Sequence, residues 1–130
     1  MECAEQYPSD LLFFFEGRSF ELSLYEQLFS MMENAFPACR VKVQKSQISF
    51  YCPRLFAAAS LPVRRKKGWP ERCLSVTFGL SHRDPSPRIA VATEPYPGRW
   101  THHVLLSRSE DVDGQLLSWL QEAYRFARTK

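Results

Sequence analysis

The chain has 130 residues, 45% of them hydrophobic and 14% aromatic, with a net charge of +3. That length sets one domain over residues 1–130, and that composition builds a core without metal or disulfide staples, so a disordered chain is excluded. The longest apolar run, Leu11–Phe15, is far short of the roughly 20 residues of a membrane span, and no membrane partner is expected.

The elements follow in order. Ser9 is expected to cap a short turn over residues 10–16 that Gly17 ends, since glycine tolerates the left-handed conformation of a helix stop. Ser19 reads as the N-cap of a first long helix over about residues 20–35, with Glu21 in its positive first turn. Leu24, Leu28, Met31 or Met32, and Ala35 make its apolar stripe, and Pro37 forbids continuation. From Arg40 the period becomes two. Val41 and Val43 alternate with Lys42 and Gln44, the chain reverses near Lys45-Ser46, and Ile48, Phe50 and Cys52 alternate onward. A small-residue strand follows at 55–61. The cleanest alternation sets Leu74, Val76, Phe78 and Leu80 against Ser75, Thr77, Gly79 and Ser81. Ile89 to Thr93 is a weaker strand between prolines, and 100–107 is the last one. The final helix starts at Ser109 or shortly after, with Glu110, Asp111 and Asp113 at its start and Arg125, Arg128 and Lys130 at its end, as the dipole favours. Its stripe is Val112, Leu116, Trp119 or Leu120, Ala123 and Ala127. The sum is a two-layer α+β domain: an antiparallel sheet of about five strands, with an N-terminal and a C-terminal helix packed on its Val76/Phe78/Leu80 face.

Charge is segregated along the chain. Residues 1–39 hold seven acids and one base, and residues 40–108 hold thirteen bases and three acids. The acidic opening either neutralises the basic middle or leaves it as an anion-binding surface. Cys3, Cys39, Cys52 and Cys73 form no C-x-x-C pair, and the acidic start does not read as a signal peptide, so four reduced thiols in the cytoplasm are expected.

Several clusters invite a chemical reading. Arg64, Arg65, Lys66 and Lys67, followed by Trp69, form an exposed loop, because four unpaired cations cannot be buried; charge beside a stackable ring suits nucleic acid. His82-Arg83-Asp84-Pro85 reads as a turn after a strand. His102 and His103 are strand neighbours, so they point to opposite faces, cannot share one metal, and should differ in burial. One of them is expected to bond a side chain of the polar set. Lys45-Ser46 lacks the desolvation and oxyanion donors of a catalytic dyad, and no metal site, cofactor or catalytic residue is expected.

Three segments together carry a resemblance. They are Phe14-Phe15-Glu16-Gly17 leading to Leu24-Tyr25; residues 41–50 with Phe56-Ala57; and Gly98 to Val104 with Asp111-Val112-Asp113 and Trp119 to Tyr124. As a set they resemble the domain of unknown function 5655, over nearly the whole chain. The resemblance implies a small domain that occurs alone or appended to larger proteins, some linked to restriction-type defence, and it implies no activity. Its polar pattern falls on Lys45, Ser46, Arg99, His102 and Asp113, while the basic run 64–67 lies outside it.

The expected function is a non-catalytic cytoplasmic binding module, monomeric or homodimeric. Its working face is the polar side of the sheet, with Lys45, Ser46, Arg83, Arg99, His102, His103 and Asp113 around an anionic small molecule. One alternative is a nucleic-acid accessory domain using Arg64–Lys67 and Trp69. The other is a small enzyme with a histidine base.

Overall fold

The computed structural model describes residues 1–129, so the expected helix-end charge Lys130 lies outside the described residues. Three helices, α1 (Tyr7–Phe14), α2 (Ser19–Ala35) and α3 (Gly114–Arg128), accompany strands β1 (Arg40–Val43), β2 (Ile48–Tyr51), β3 (Leu55–Ser60), β4 (Leu74–Leu80), β5 (Ile89–Tyr96) and β6 (Arg99–Leu106). The strands form one antiparallel sheet in the order β1-β2-β3-β4-β6-β5. The expected α+β class holds, with six strands where about five were expected.

Alternation sets the layers. Val41, Ile48, Phe50, Ala57, Ala59, Leu74, Val76, Phe78, Leu80, Val104 and Leu106 are buried under the stripes of α2 (Leu24, Tyr25, Leu28, Met32) and α3 (Leu116, Trp119, Leu120, Ala123, Ala127). The hydroxyls of Tyr7 and Tyr25 share a 2.7 Å hydrogen bond that ties α1 to α2 on this side. Gly17, at φ +73°, makes the left-handed stop between these two helices.

Local capping differs from expectation at the amino end. Pro8 occupies the first turn of α1 and Ser9 bonds back to the Gln6 carbonyl, so Ser9 lies inside the helix. Arg18 flanks α2 in place of Ser19. Glu21 is not a solvated first-turn charge either: it is buried, and Arg18 reaches it at 3.4 Å. At α3 the start lies later than expected: Gly114 opens the helix, Glu110 and Asp111 sit in a separate 3₁₀ turn at Ser109–Asp111, and Asp113 is the cap, accepting from the Leu116 N–H at 3.0 Å.

The cysteine expectation is corrected. Cys39 and Cys52 form a disulfide, with Cα atoms 4.7 Å apart, while Cys3 and Cys73 are free. They continue the Arg40–Tyr51 pairing by one step, and that cross-strand proximity is what joins them. Spacing along the chain carried no sign of it. Among the described residues, no helix is long and apolar enough to cross a membrane.

Candidate functional site: the helix-free face of the sheet

The side chains that alternate away from the helices form a row. Lys42 pairs with Ser49, Ser49 with Ala58, Ala58 with Thr77, Thr77 with His103, and His103 with Val91, so one line of paired residues crosses all six strands. Directly paired residues share a face. Small side chains fill its middle, where Ser49 and Ala58 are buried beside their neighbours. The Ser49 hydroxyl donates to Gln44 Oε1 and accepts from Gln47 Nε2 at 2.8 Å, folding both amides onto this face. Thr77 Oγ1 and His103 Nδ1 share a 3.0 Å hydrogen bond. Burial lowers the pKa of His103, with His102 and Lys66 adding to the effect, so the ring is neutral near pH 7. A cavity of about 260 Å³ opens here against Gln47, Ala58, Thr77 and Thr101, and reaches Phe126 and Ala127 where β3 and β4 stop pairing beyond Ala57 and Phe78.

Cations rim this face. Arg40 lies over the Tyr51 ring at 4.9 Å, Lys42 is exposed at the β1 edge, and Arg99 shares the alternation of Thr101 and His103. Of the thirteen basic residues from 40 to 108, only Arg88 and Arg108 reach a carboxylate within 4.0 Å among the described residues. The acidic opening does not pair with the basic middle: Glu21 meets Arg18, and Glu33 meets the amino terminus.

The sequence-predicted residues do not gather into one pocket. Lys45 and Ser46 stand in the β1–β2 turn, at the end of the sheet where Ile48 pairs with Ala59. Arg99 is at the opposite end, one residue beyond the Leu80–Trp100 pair. Arg83 is exposed in the 81–88 turn. His102 and His103 do differ in burial, His102 being fully enclosed. Their partners, however, are the Asp84 backbone and Thr77, not Lys45, Ser46, Arg99 or Asp113. Arg64, Arg65, Lys66 and Lys67 are exposed as expected, with Trp69 half-buried beside them.

The helix side holds a polar network that the sequence reading passed over. The Asp84 N–H donates to His102 Nε2 at 3.0 Å, and Asp84 Oδ2 accepts from the Trp119 indole at 2.9 Å. His102 and Trp119 both stack with Phe78, at 5.3 and 5.7 Å. Arg88 lies over Trp119 and donates to both Asp113 oxygens at 2.9 Å and to the Asp111 carbonyl. Burial acts to raise the Asp113 pKa, but the Leu116 N–H and Arg88 outweigh it and the carboxyl ends below its ordinary value. A clue was present: a tryptophan on a buried stripe needs an acceptor for its indole N–H, and Asp84 follows the strand that Trp119 covers. This network fastens the 81–88 turn to α3. His82 and Glu122 add an exposed pair at 2.6 Å, and that bond raises the His82 pKa. Among the described residues, no group of three His, Cys, Asp or Glu could hold a metal ion.

The family described as a domain of unknown function (DUF5655) matches residues 14–127. No curated protein matches the chain, and no solved structure does.

Proposed function

We propose, from the premise that this chain belongs to the DUF5655 family, that it is a non-catalytic module whose helix-free sheet face binds an extended polyanion. The observation that carries this reading is the polar row from Lys42 to His103, rimmed by Arg40, Lys42 and Arg99, none of which reaches a carboxylate within 4.0 Å among the described residues. Spacing decides between a small anion and an extended one. Neighbouring strands lie about 4.8 Å apart, so four steps from Lys42 to His103 span about 19 Å. One phosphate cannot touch both, whereas a chain of phosphates can. Neutral His103 and the Thr77 hydroxyl suit hydrogen bonding to such a chain, and Lys42, Arg40 and Arg99 suit its charge. The cytoplasm is the proposed compartment: the free, exposed Cys3 favours it, while the Cys39–Cys52 disulfide is the exception that such a compartment would have to tolerate.

Thermal unfolding with inorganic phosphate and with polyphosphate tests this. At equal phosphate content, polyphosphate should raise the melting temperature by several degrees and free phosphate by much less. Lys42→Gln combined with His103→Asn should remove most of that gain. Equal stabilisation by both probes, or a gain that the double variant keeps, would overturn the reading.

A further inference from the structure

Beyond that face, the end of the sheet holding the β1–β2 turn carries a second surface of different chemistry. The end of α1, the 44–46 turn and the loop after β3 border an open hollow of about 600 Å³ lined by Phe14, Val43 and Leu61, with Asp10 and Lys45 at its sides and Phe13 and Val63 standing out at its rim. Large apolar side chains project here instead of packing inward. Phe13 is 77% exposed and Val63 95%. The four cations Arg64–Lys67 follow Val63 directly, and among the described residues none of them, nor Lys45, pairs with a carboxylate.

We infer that this end docks on an anionic lipid surface, with Phe13 and Val63 entering the headgroup region and Arg64–Lys67 with Lys45 meeting lipid phosphates and carboxylates. Two features select a membrane over a peptide. The apolar side chains protrude, whereas a peptide groove keeps them in its walls. Lys45 lines the same hollow as Phe13 and Val63, and Arg64 follows Val63 in the chain, so apolar insertion and charge attraction come from one end of the sheet, the pairing of two weak signals that peripheral anchoring requires. The lack of a spanning segment, which removed membranes from the sequence-based expectation, does not bear on a surface of this kind.

The test uses the whole chain and two vesicle preparations, phosphatidylcholine alone and phosphatidylcholine with about 30 mol % phosphatidylserine. Cosedimentation should occur with the second and not the first, and should weaken about tenfold or more as salt shortens the Debye length from about 10 Å toward 3 Å. Phe13→Ser with Val63→Ser should lower vesicle affinity at least about tenfold while leaving the melting temperature nearly unchanged, since exposed side chains contribute little to folding. Replacing residues 64–67 by glutamine should abolish binding. No binding of the parent chain at low salt would overturn the proposal. So would vesicle binding that the Phe13/Val63 variant retains, which would mark the loop as a general polyanion site. Self-association removed by Val63→Ser, without vesicle binding, would assign the surface to a second copy of the chain. The polar-face test changes Lys42 and His103 alone, so either idea can fail without the other.

Discussion

His102 shows how one side chain ties chemistry to stability. Its Nε2 accepts from the Asp84 N–H, so the neutral ring's proton must sit on Nδ1. Protonation would turn Nε2 into a donor facing another donor and would loosen the 81–88 turn. Burial, the largest influence, lowers the pKa of His102 below 6.5. The unfolded chain therefore binds this proton more readily than the folded one, and stability falls as pH drops below about 6.5. The lowered pKa of His103 acts in the same direction; the raised pKa of His82 acts oppositely, but that residue is half-exposed and its effect is screened. Denaturant unfolding between pH 5 and 8 should thus show lower stability at the acid end. His102→Gln, which keeps an acceptor but cannot titrate, should flatten that slope. An unchanged slope would show that His102 takes up its proton as readily in the folded chain as in the unfolded one and is not the group behind the pH dependence.

At the scale of elements, the sequence was readable where one rule dominated. Strict alternation located β4 and β6, and the three- and four-residue stripes located α2 and α3, because burial of one face sets both periods. β5 was harder to read. Pro95 and two register shifts interrupt its pairing, which only an edge strand tolerates, and its place beside β6 supplies what local pattern lacked. The Cys39–Cys52 link was illegible for a related reason: it depends on the β1–β2 register, and register is a property of two strands. Its consequence can be measured. Denatured protein prepared without reductant should present two reactive thiols, Cys3 and Cys73, and four after reduction. Cys39→Ser with Cys52→Ser should cost on the order of 3 kcal/mol, since the bond closes a short loop with a sequence separation of 13. Four reactive thiols before reduction would restore the fully reduced chain that the sequence suggested.

At the scale of the whole molecule, charge segregation was visible in the sequence, but its resolution was not. Composition cannot say whether an acidic helix will neutralise a basic sheet. In the fold, the acids of residues 1–39 that form ion pairs do so near their own end, and among the described residues most of the basic middle reaches no carboxylate within 4.0 Å. The candidate site was legible only as a face: alternation placed Thr77 opposite the helix-covered residues and sent His102 and His103 to opposite faces without assigning which, while chain distance hid that Lys45 and Arg99 lie at opposite ends. Unpaired like charges on one surface repel, and that repulsion is stronger in the compact state than in the expanded one. Sodium chloride should therefore raise the melting temperature as it screens them, up to an ionic strength of about 0.3 M, beyond which screening changes little. Sulfate at matched ionic strength separates screening from binding. If the cations only repel, the two salts should superimpose apart from the mild general stabilisation by sulfate, and charge-removing Lys42→Gln should raise the melting temperature in low salt. The same substitution should then reduce the gain from sodium chloride, because one source of repulsion is gone. A melting temperature that falls with added salt would mean that attractive pairs, weaker than the 4.0 Å contacts, outweigh repulsion and that the basic surface is neutralised after all.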